Sequence, residues 1–316
     1  MTHPNVLAES WEPQYPSEDI VSLVRHNGDL STKSRLETLE RAVDLIGGLD
    51  SLRSPLIVKT NVHTHPSQVA LMLGLTSPKM VEALIKLALK QQKHLSVKIV
   101  ESDSSNKLLD EFVWTRFGYT EVVDRLTDAG YDVSLVNISH PPLVKLRLNG
   151  LHFKEVQVNE LLTKEAYFVS LMVPKTHPIS FVTGVTKNMF GLLPDKDKIA
   201  YHSDINNVIL DCARIMKPNL CVLDAIVGLE CTYPIATHGR PRRINALIAG
   251  RNPVSVDATM ARLMGFQPEN IRHLVEGAKL GLGSLNPKIV GERLEEMTVN
   301  FKPPAHVWPI ATVEHS

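Results

Sequence analysis

Cysteine is scarce in this 316-residue chain: Cys212, Cys221 and Cys231 are the three, and no two of them stand in C-x-x-C spacing. A disulfide framework is excluded on arithmetic, since three thiols leave one over under any pairing. Cys221 lies inside the apolar run LCVLDA, where a free thiol behaves as a small hydrophobe, so the trio is read as reduced and not as a metal centre. Net charge is lacking too. Lys plus Arg and Asp plus Glu balance at 34 each, so no overall field recruits nucleic acid or an anionic membrane surface. The one local basic run, Arg240, Arg242 and Arg243 in GRPRR, reads as a solvated loop. No stretch reaches the roughly 18–20 apolar residues of a membrane span. The start, MTHPNVLAESWEPQYPSE, lacks the charged-then-apolar order of a secretory signal, and the expected location is cytoplasmic. Without a G-x-G-x-x-G or P-loop pattern no nucleotide cofactor is indicated, and there is no internal repeat or low-complexity tract.

What is present is enough apolar content, 43%, to bury a large core. Apolar, β-branched runs alternate with helical patterns, the order that builds an α/β fold with a mainly parallel sheet flanked by helices. The runs are LIVKTN (56–61), VKIVESD (97–103), YDVSLVN (131–137), YFVSLMVPKTH (167–177), LCVLDA (220–225) and INALIAG (244–250). Helices are predicted at about 33–46, 78–91, 107–129, 182–193, 203–216, 254–264 and 268–279. A β-hairpin is inserted at VKLRL-NG-LHFKEVQV, because Asn149-Gly150 suits a tight turn with both central residues at positive φ. Residues 1–18 read as an N-terminal extension, 19–301 as one large domain or two closely joined lobes, and 302–316 as a Pro-rich tail.

The predicted strands end in chemistry-bearing residues: Lys59 and Asn61, Glu101 and Asp103, Asn137, Lys175 and His177, and Asp224. In open parallel sheets the carboxyl ends of the strands are where ligands bind, so these residues are expected to line a crevice. In the helix predicted at 182–193, Val182, Val185, Met189, Leu192 and Leu193 share one face, while Thr183, Gly184, Lys187, Asn188 and Gly191 share the other. Each glycine costs roughly 1 kcal/mol against alanine on a merely solvated face. Close approach of something to the backbone on the Lys187 side is therefore expected, whether a ligand or a packed segment of the chain. In RNPVSVDATMARLMG, Asn252 can cap and Pro253 suits the first turn, which puts Asp257 within an apolar face. A carboxylate there needs a partner: a backbone amide, an arginine, or one of Lys59, Lys175 and Lys187. His63 and His65 form an H-x-H after a strand, but the further ligands of a metal-bearing barrel are missing. His177 follows a strand and His202 opens a helix, and both can face the crevice.

VPKTH, then TGVTKNMFGLLP, YH, VLDAIVGLE, ALIAGRNPVSVDATMARLMGF and GLG together resemble the prokaryotic family called domain of unknown function 362, over about residues 56–290. The resemblance implies no particular reaction. Many members carry a ferredoxin-like iron-sulfur segment, whereas this sequence has no C-x-x-C-x-x-C run, so no cluster is expected. It also reads KTN where the family resembles KPN, and ECTYP where relatives show a glycine-rich stretch, so Cys231 and Tyr233 are expected to alter one wall of the pocket relative to the family. Lys59, Asn61, Lys175, His177, Lys187, Asn188, His202, Asp224, Glu230 and Asp257 stand in the family's motif positions; Glu230 enters through the resemblance alone.

Three functional classes stay open. The first is an enzyme acting on a small anionic metabolite. Its catalytic residues would be His177, Lys187, Asp224 and Asp257, and its substrate would be held by Lys59, Asn61, Lys175, Asn188, His202 and Glu230. A lysine crowded by two others would have a depressed pKa, which also suits covalent catalysis. The second is a metal-dependent or redox accessory protein using His177, His202, Asp224 and Glu230, against which the nearby lysines would repel a cation. The third is a non-catalytic ligand-binding or maturation partner using the tail with Trp308. No metal or cofactor is assigned, the expected partner is a small anion, and self-association is left open.

Overall fold

Each of the six apolar runs forms a strand. The computed structural model of the chain describes residues 19–62, 74–104, 108–230, 239–304, 307 and 309–313. The first half contains β1 (Ile20–Arg25), α1 (Thr32–Asp44), β2 (Leu56–Lys59), α2 (Pro78–Gln91) and β3 (Ser96–Glu101). It continues through α3 (Glu111–Arg116), α4 (Tyr119–Asp128) and β4 (Asp132–Asn137) to a separate antiparallel pair, β5 (Leu143–Arg147) and β6 (Glu155–Asn159). Then come β7 (Tyr167–Met172), β8 (Lys175–His177), β9 (Phe181–Thr183), α5 (Val185–Asn188), α6 (Ile205–Ile215) and β10 (Leu220–Glu230). The chain closes with β11 (Arg240–Gly250), α7 (Pro253–Leu263), α8 (Arg272–Lys279), β12 (Lys288–Gly291) and α9 (Leu294–Met297).

Among the described residues the main sheet has ten strands, in the order β12-β1-β11-β10-β7-β2-β3-β4, with β8 and β9 attached at the end of β10. Along that path β11 alone runs against its neighbours, and the five strands from β10 to β4 are parallel. Alternating residues serve opposite faces, as a period of two requires. Leu56, Val58, Val169, Leu171 and Val222 join the apolar layer under α1 and α2. Ile57, Phe168, Leu223 and Ile248 face the layers under α6 and α7. The result is a sheet covered by helices on both sides, which is why its parallel strands are buried throughout. No helix of the described residues is long and apolar enough to cross a membrane.

Several boundaries differ from the sequence expectation, each for a local reason. The helix expected at 107–129 is two, parted by Gly118 at φ +80°. The helix expected at 182–193 is a strand end, a single turn and a 3-10 turn (Met189–Leu192). The basic run is not a loop, since Arg240, Arg242 and Arg243 open β11. The pair β5–β6 is present, but Arg147 pairs with Glu155, so seven residues rather than two connect the strands. The cause is Asp211 on α6, whose buried carboxylate accepts from the backbone N–H groups of Leu151, His152 and Phe153 at 2.8, 2.8 and 2.9 Å. Three satisfied amides outweigh the local preference of Asn-Gly. Asp211→Ala should therefore cost about 1–3 kcal/mol and free those three amides to hydrogen exchange. Unchanged protection at 151–153 would contradict this.

Candidate functional site

The site assembles where β2, β3 and β7 end. On β2, Lys59 points to the α5 side, as Ile57 does, and Ser170 of β7 points the same way as Phe168. Between them Asn188 of α5 donates to the carbonyl of Lys59 (3.2 Å) and to Ser170 Oγ (3.1 Å), tying the short helix to the strand ends. Lys59 is buried with its ammonium on Glu101 (3.0 Å) and on the Thr60 carbonyl. Glu101 also accepts the N–H of Val62 (2.7 Å) and of Ser102 (2.8 Å). Burial pulls the Lys59 ammonium down from its ordinary range, and the Glu101 charge opposes that.

α5 starts where it does because of Asp257. The two carboxylate oxygens of this fully buried side chain accept from the N–H groups of Val185 and Thr186, each at 2.8 Å. A Cβ on Gly184 would lie 2.1 Å from one of those oxygens, and a Cβ on Gly191 would lie 2.6 Å from Lys59 Nζ. Both glycines thus answer close approach by the chain itself. Burial pushes the Asp257 carboxyl up to about 6, against the pull of its amide donors.

A cavity of about 160 Å³ opens beside this framework. Lys59, Asn61, Lys187 and Asn188 line it, together with Glu101 and Lys198. Thr183 and Gly191 line it too, so most of the polar face expected of 182–193 meets in one place even though the segment is not one helix. Lys198 reaches in from a 3-10 turn (Lys198–Asp204), with its ammonium on Ser102 Oγ and on the Asp103 carbonyl (2.6 Å). Lys175 lies just behind, on Asn61 Oδ1 (2.6 Å) and the Gly74 carbonyl (2.7 Å). Burial, and then the positive charge of Lys187, drive its ammonium well below the usual lysine range.

Lys187 differs from these three. It is half-buried and has neither a hydrogen-bond acceptor nor an ion-pair partner among the described residues. Burial brings its ammonium down to about 8. Its surroundings are bases. His202 is held down to about 4 by burial and by the Lys187 charge, and the ring of His177 lies 6.4 Å from that of His202. The turn between β8 and β9 wraps His177 so that its Nδ1 accepts from the N–H groups of Ile179 (3.2 Å) and Ser180 (3.3 Å). The proton of the neutral ring therefore sits on Nε2.

The remaining expected residues fall elsewhere. Asp224 does not join the crevice: it points to the opposite face of the sheet, as Val222 does, and pairs with Arg35 of α1. It lines a separate cavity of about 240 Å³ with Arg35, Leu75 and Val227. A strand-end position does not fix which face a side chain takes, and one residue of phase decides it. Glu230, at the far end of β10, accepts the N–H of Lys302 (2.9 Å) and lies 3.5 Å from Arg242. Asp257 is paired with amides rather than with any of the three lysines, and it positions α5 without lining the cavity. His63, His65, Cys231, Tyr233 and Trp308 lie outside the described residues, while Cys212 and Cys221 are buried free thiols. Among the described residues no three His, Cys, Asp or Glu side chains meet as a metal site, so the set His177, His202, Asp224 and Glu230 is not brought together.

Sequence reasoning missed Lys198, whose charged loop PDKDK gives no signal, and it named Glu101 only as a strand end. It also missed His273 of α8. This imidazole is fully buried with no partner on either ring nitrogen among the described residues, and burial and the Lys187 charge push it down to about 3. Its place on the helix's apolar side beside Leu274 was the readable clue.

The family whose description is domain of unknown function (DUF362) matches residues 56–262, and the chain belongs to it. A thylakoid-associated protein of Synechocystis sp. is 25% identical over 184 residues. That match covers 54% of this chain and 57% of the other, so the chain spans little more than half of that relative. Among solved structures, the lactate racemase apoprotein from Thermoanaerobacterium thermosaccharolyticum aligns with a TM-score of 0.49 and 12% identity, covering 87% of this chain and 70% of that one.

Proposed function

We propose that the protein is an enzyme acting on a small anionic metabolite bound in the Lys187 cavity. One observation carries the reading: Lys187 presents a cation that nothing in the described chain neutralises, in a cavity where three lysines face a single carboxylate. An uncompensated ammonium in such a place is costly, and a bound carboxylate or phosphate removes the cost. His202, neutral across the physiological range, is the candidate proton acceptor, and His177, with its proton on Nε2, the candidate donor. Lys59, Lys175 and Asn188 are already committed to one another's neighbours, so they shape the cavity, while Lys187 meets the ligand. The reading places the protein in the cytoplasm, with a metabolite as its partner.

A thermal-shift panel of carboxylated and phosphorylated metabolites tests it. A ligand at a hundred times its Kd stabilises by about 2.7 kcal/mol. At least one anion should raise the Tm of the wild type by several degrees and leave Lys187→Met unmoved. If no anion shifts the wild type, or if Lys187→Met shifts equally, the proposal fails.

A further inference from the structure

Four lysines converge on this site, and three have their protons assigned. Lys59 is on Glu101 and the Thr60 carbonyl, Lys175 on Asn61 and the Gly74 carbonyl, and Lys198 on Ser102 and the Asp103 carbonyl. Each of those contacts favours the ammonium form, against burial, which lowers Lys59 and Lys175. Among the described residues Lys187 alone of the four has no oxygen to hold a proton in place, and it lines the cavity, which Lys175 does not. We infer that Lys187 is a nucleophile that forms an imine with a small 2-oxo acid, the anion-binding reading above being taken as given.

The size and charge of the cavity select that class. About 160 Å³ holds roughly five waters at about 30 Å³ each, which suits an acid of three to five carbons. The positive charge of Lys198 attracts the carboxylate, leaving the adjacent carbonyl carbon to Lys187. The Nζ lone pair attacks that carbon, a C–N bond forms, and the C=O π pair moves to oxygen. The neutral His202 imidazole takes a proton from the nitrogen and returns it to that oxygen, giving the carbinolamine. The C–O bond then breaks with its electron pair as the second N–H proton passes to the oxygen by the same relay, and one water leaves. Amine plus carbonyl gives imine plus water, with no oxidant or reductant required. The lowered ammonium range of Lys187, about 8, makes the reactive form accessible. At pH 7 its neutral fraction is on the order of 200-fold that of an exposed lysine.

Reductive trapping decides the matter. Full-length protein is incubated with pyruvate, 2-oxobutyrate or 2-oxoglutarate, then with cyanoborohydride, and the adducts are mapped by peptide mass spectrometry. Labelling of Lys187 should exceed that of exposed lysines at least ~10-fold at pH 7, saturate with oxo acid, and rise with pH through about 8. Lys187→Arg, checked for an unchanged melting curve, should lose the adduct. The wild-type map stands without the variant should that variant not fold. Adducts spread evenly over surface lysines, or residing on Lys175, would overturn the inference. If acetate or malonate stabilises the wild type while no oxo acid labels Lys187, the imine falls and the anion site stands. If neither occurs, both fall.

Discussion

Replacing Lys59 by Met should destabilise the fold by roughly 3–5 kcal/mol, the usual result of stripping one partner from a buried ion pair. The pair qualifies: the Lys59 and Glu101 side chains are 1% and 5% exposed, with Nζ 3.0 Å from Oε1. Glu101→Gln should cost a similar amount, because an amide in that place turns its NH₂ either toward Lys59 and the N–H of Ser102 or toward the N–H of Val62, all of them donors. The double variant Lys59→Met/Glu101→Gln removes both charges and should lose clearly less than the sum of the singles. Urea midpoints in a double-mutant cycle measure the difference; single losses under about 1 kcal/mol would show the pair to be dispensable. The pairing has a functional consequence. A lysine spent on Glu101 is not available to a ligand, which is why contact with the ligand is left to other lysines of the cavity, Lys187 first among them.

How much of this was readable beforehand varies with the kind of signal. The strands LIVK and VKIVE were legible because β-branched runs between helical patterns admit few other structures, and Lys59 and Glu101 follow as their ends. The polar face of 183–191 was also legible, although on the wrong helix: Thr183, Lys187, Asn188 and Gly191 meet at the cavity across a strand, a helical turn and a 3-10 turn. Side-chain phase was not legible. Asp224 looks like Lys59 in sequence, each an ionisable residue ending an apolar run, yet the pleat sends one to Arg35 and the other to Asn188. Nor could spacing reveal that Lys198, Lys175 and Lys59 have acceptors while Lys187 has none among the described residues, since those oxygens come from Ser102, Asp103, Gly74 and Glu101, far from their lysines in sequence. β1 and β12 were missed altogether. The short runs IVSLVR and KIVG carry little signal until they pair with each other beside β11.

Asp257→Ala should be as damaging as loss of the ion pair, and it should report directly on the Lys187 site. The substitution leaves the N–H groups of Val185 and Thr186 buried without acceptors, at about 1–3 kcal/mol each. It also empties the space that Gly184 leaves for the carboxylate. With α5 released, Lys187 loses its fixed place, so the anion response should vanish together with the stability. The pH dependence carries an unusual sign. The folded-state value of about 6 lies above the ordinary 3.8, so between those limits the native state binds more protons than the unfolded one. Stability from this group therefore falls as pH rises through that window, by up to roughly 3 kcal/mol, and the whole penalty is present above pH 6. Asp257→Asn has no proton to bind, so its stability deficit relative to wild type should widen from pH 7 to pH 5 in parallel urea titrations. A deficit that is constant or shrinks over that interval would mean that hydrogen bonds from Val185 and Thr186 outweigh burial at this carboxylate, and that α5 is held by an ordinary ionised cap.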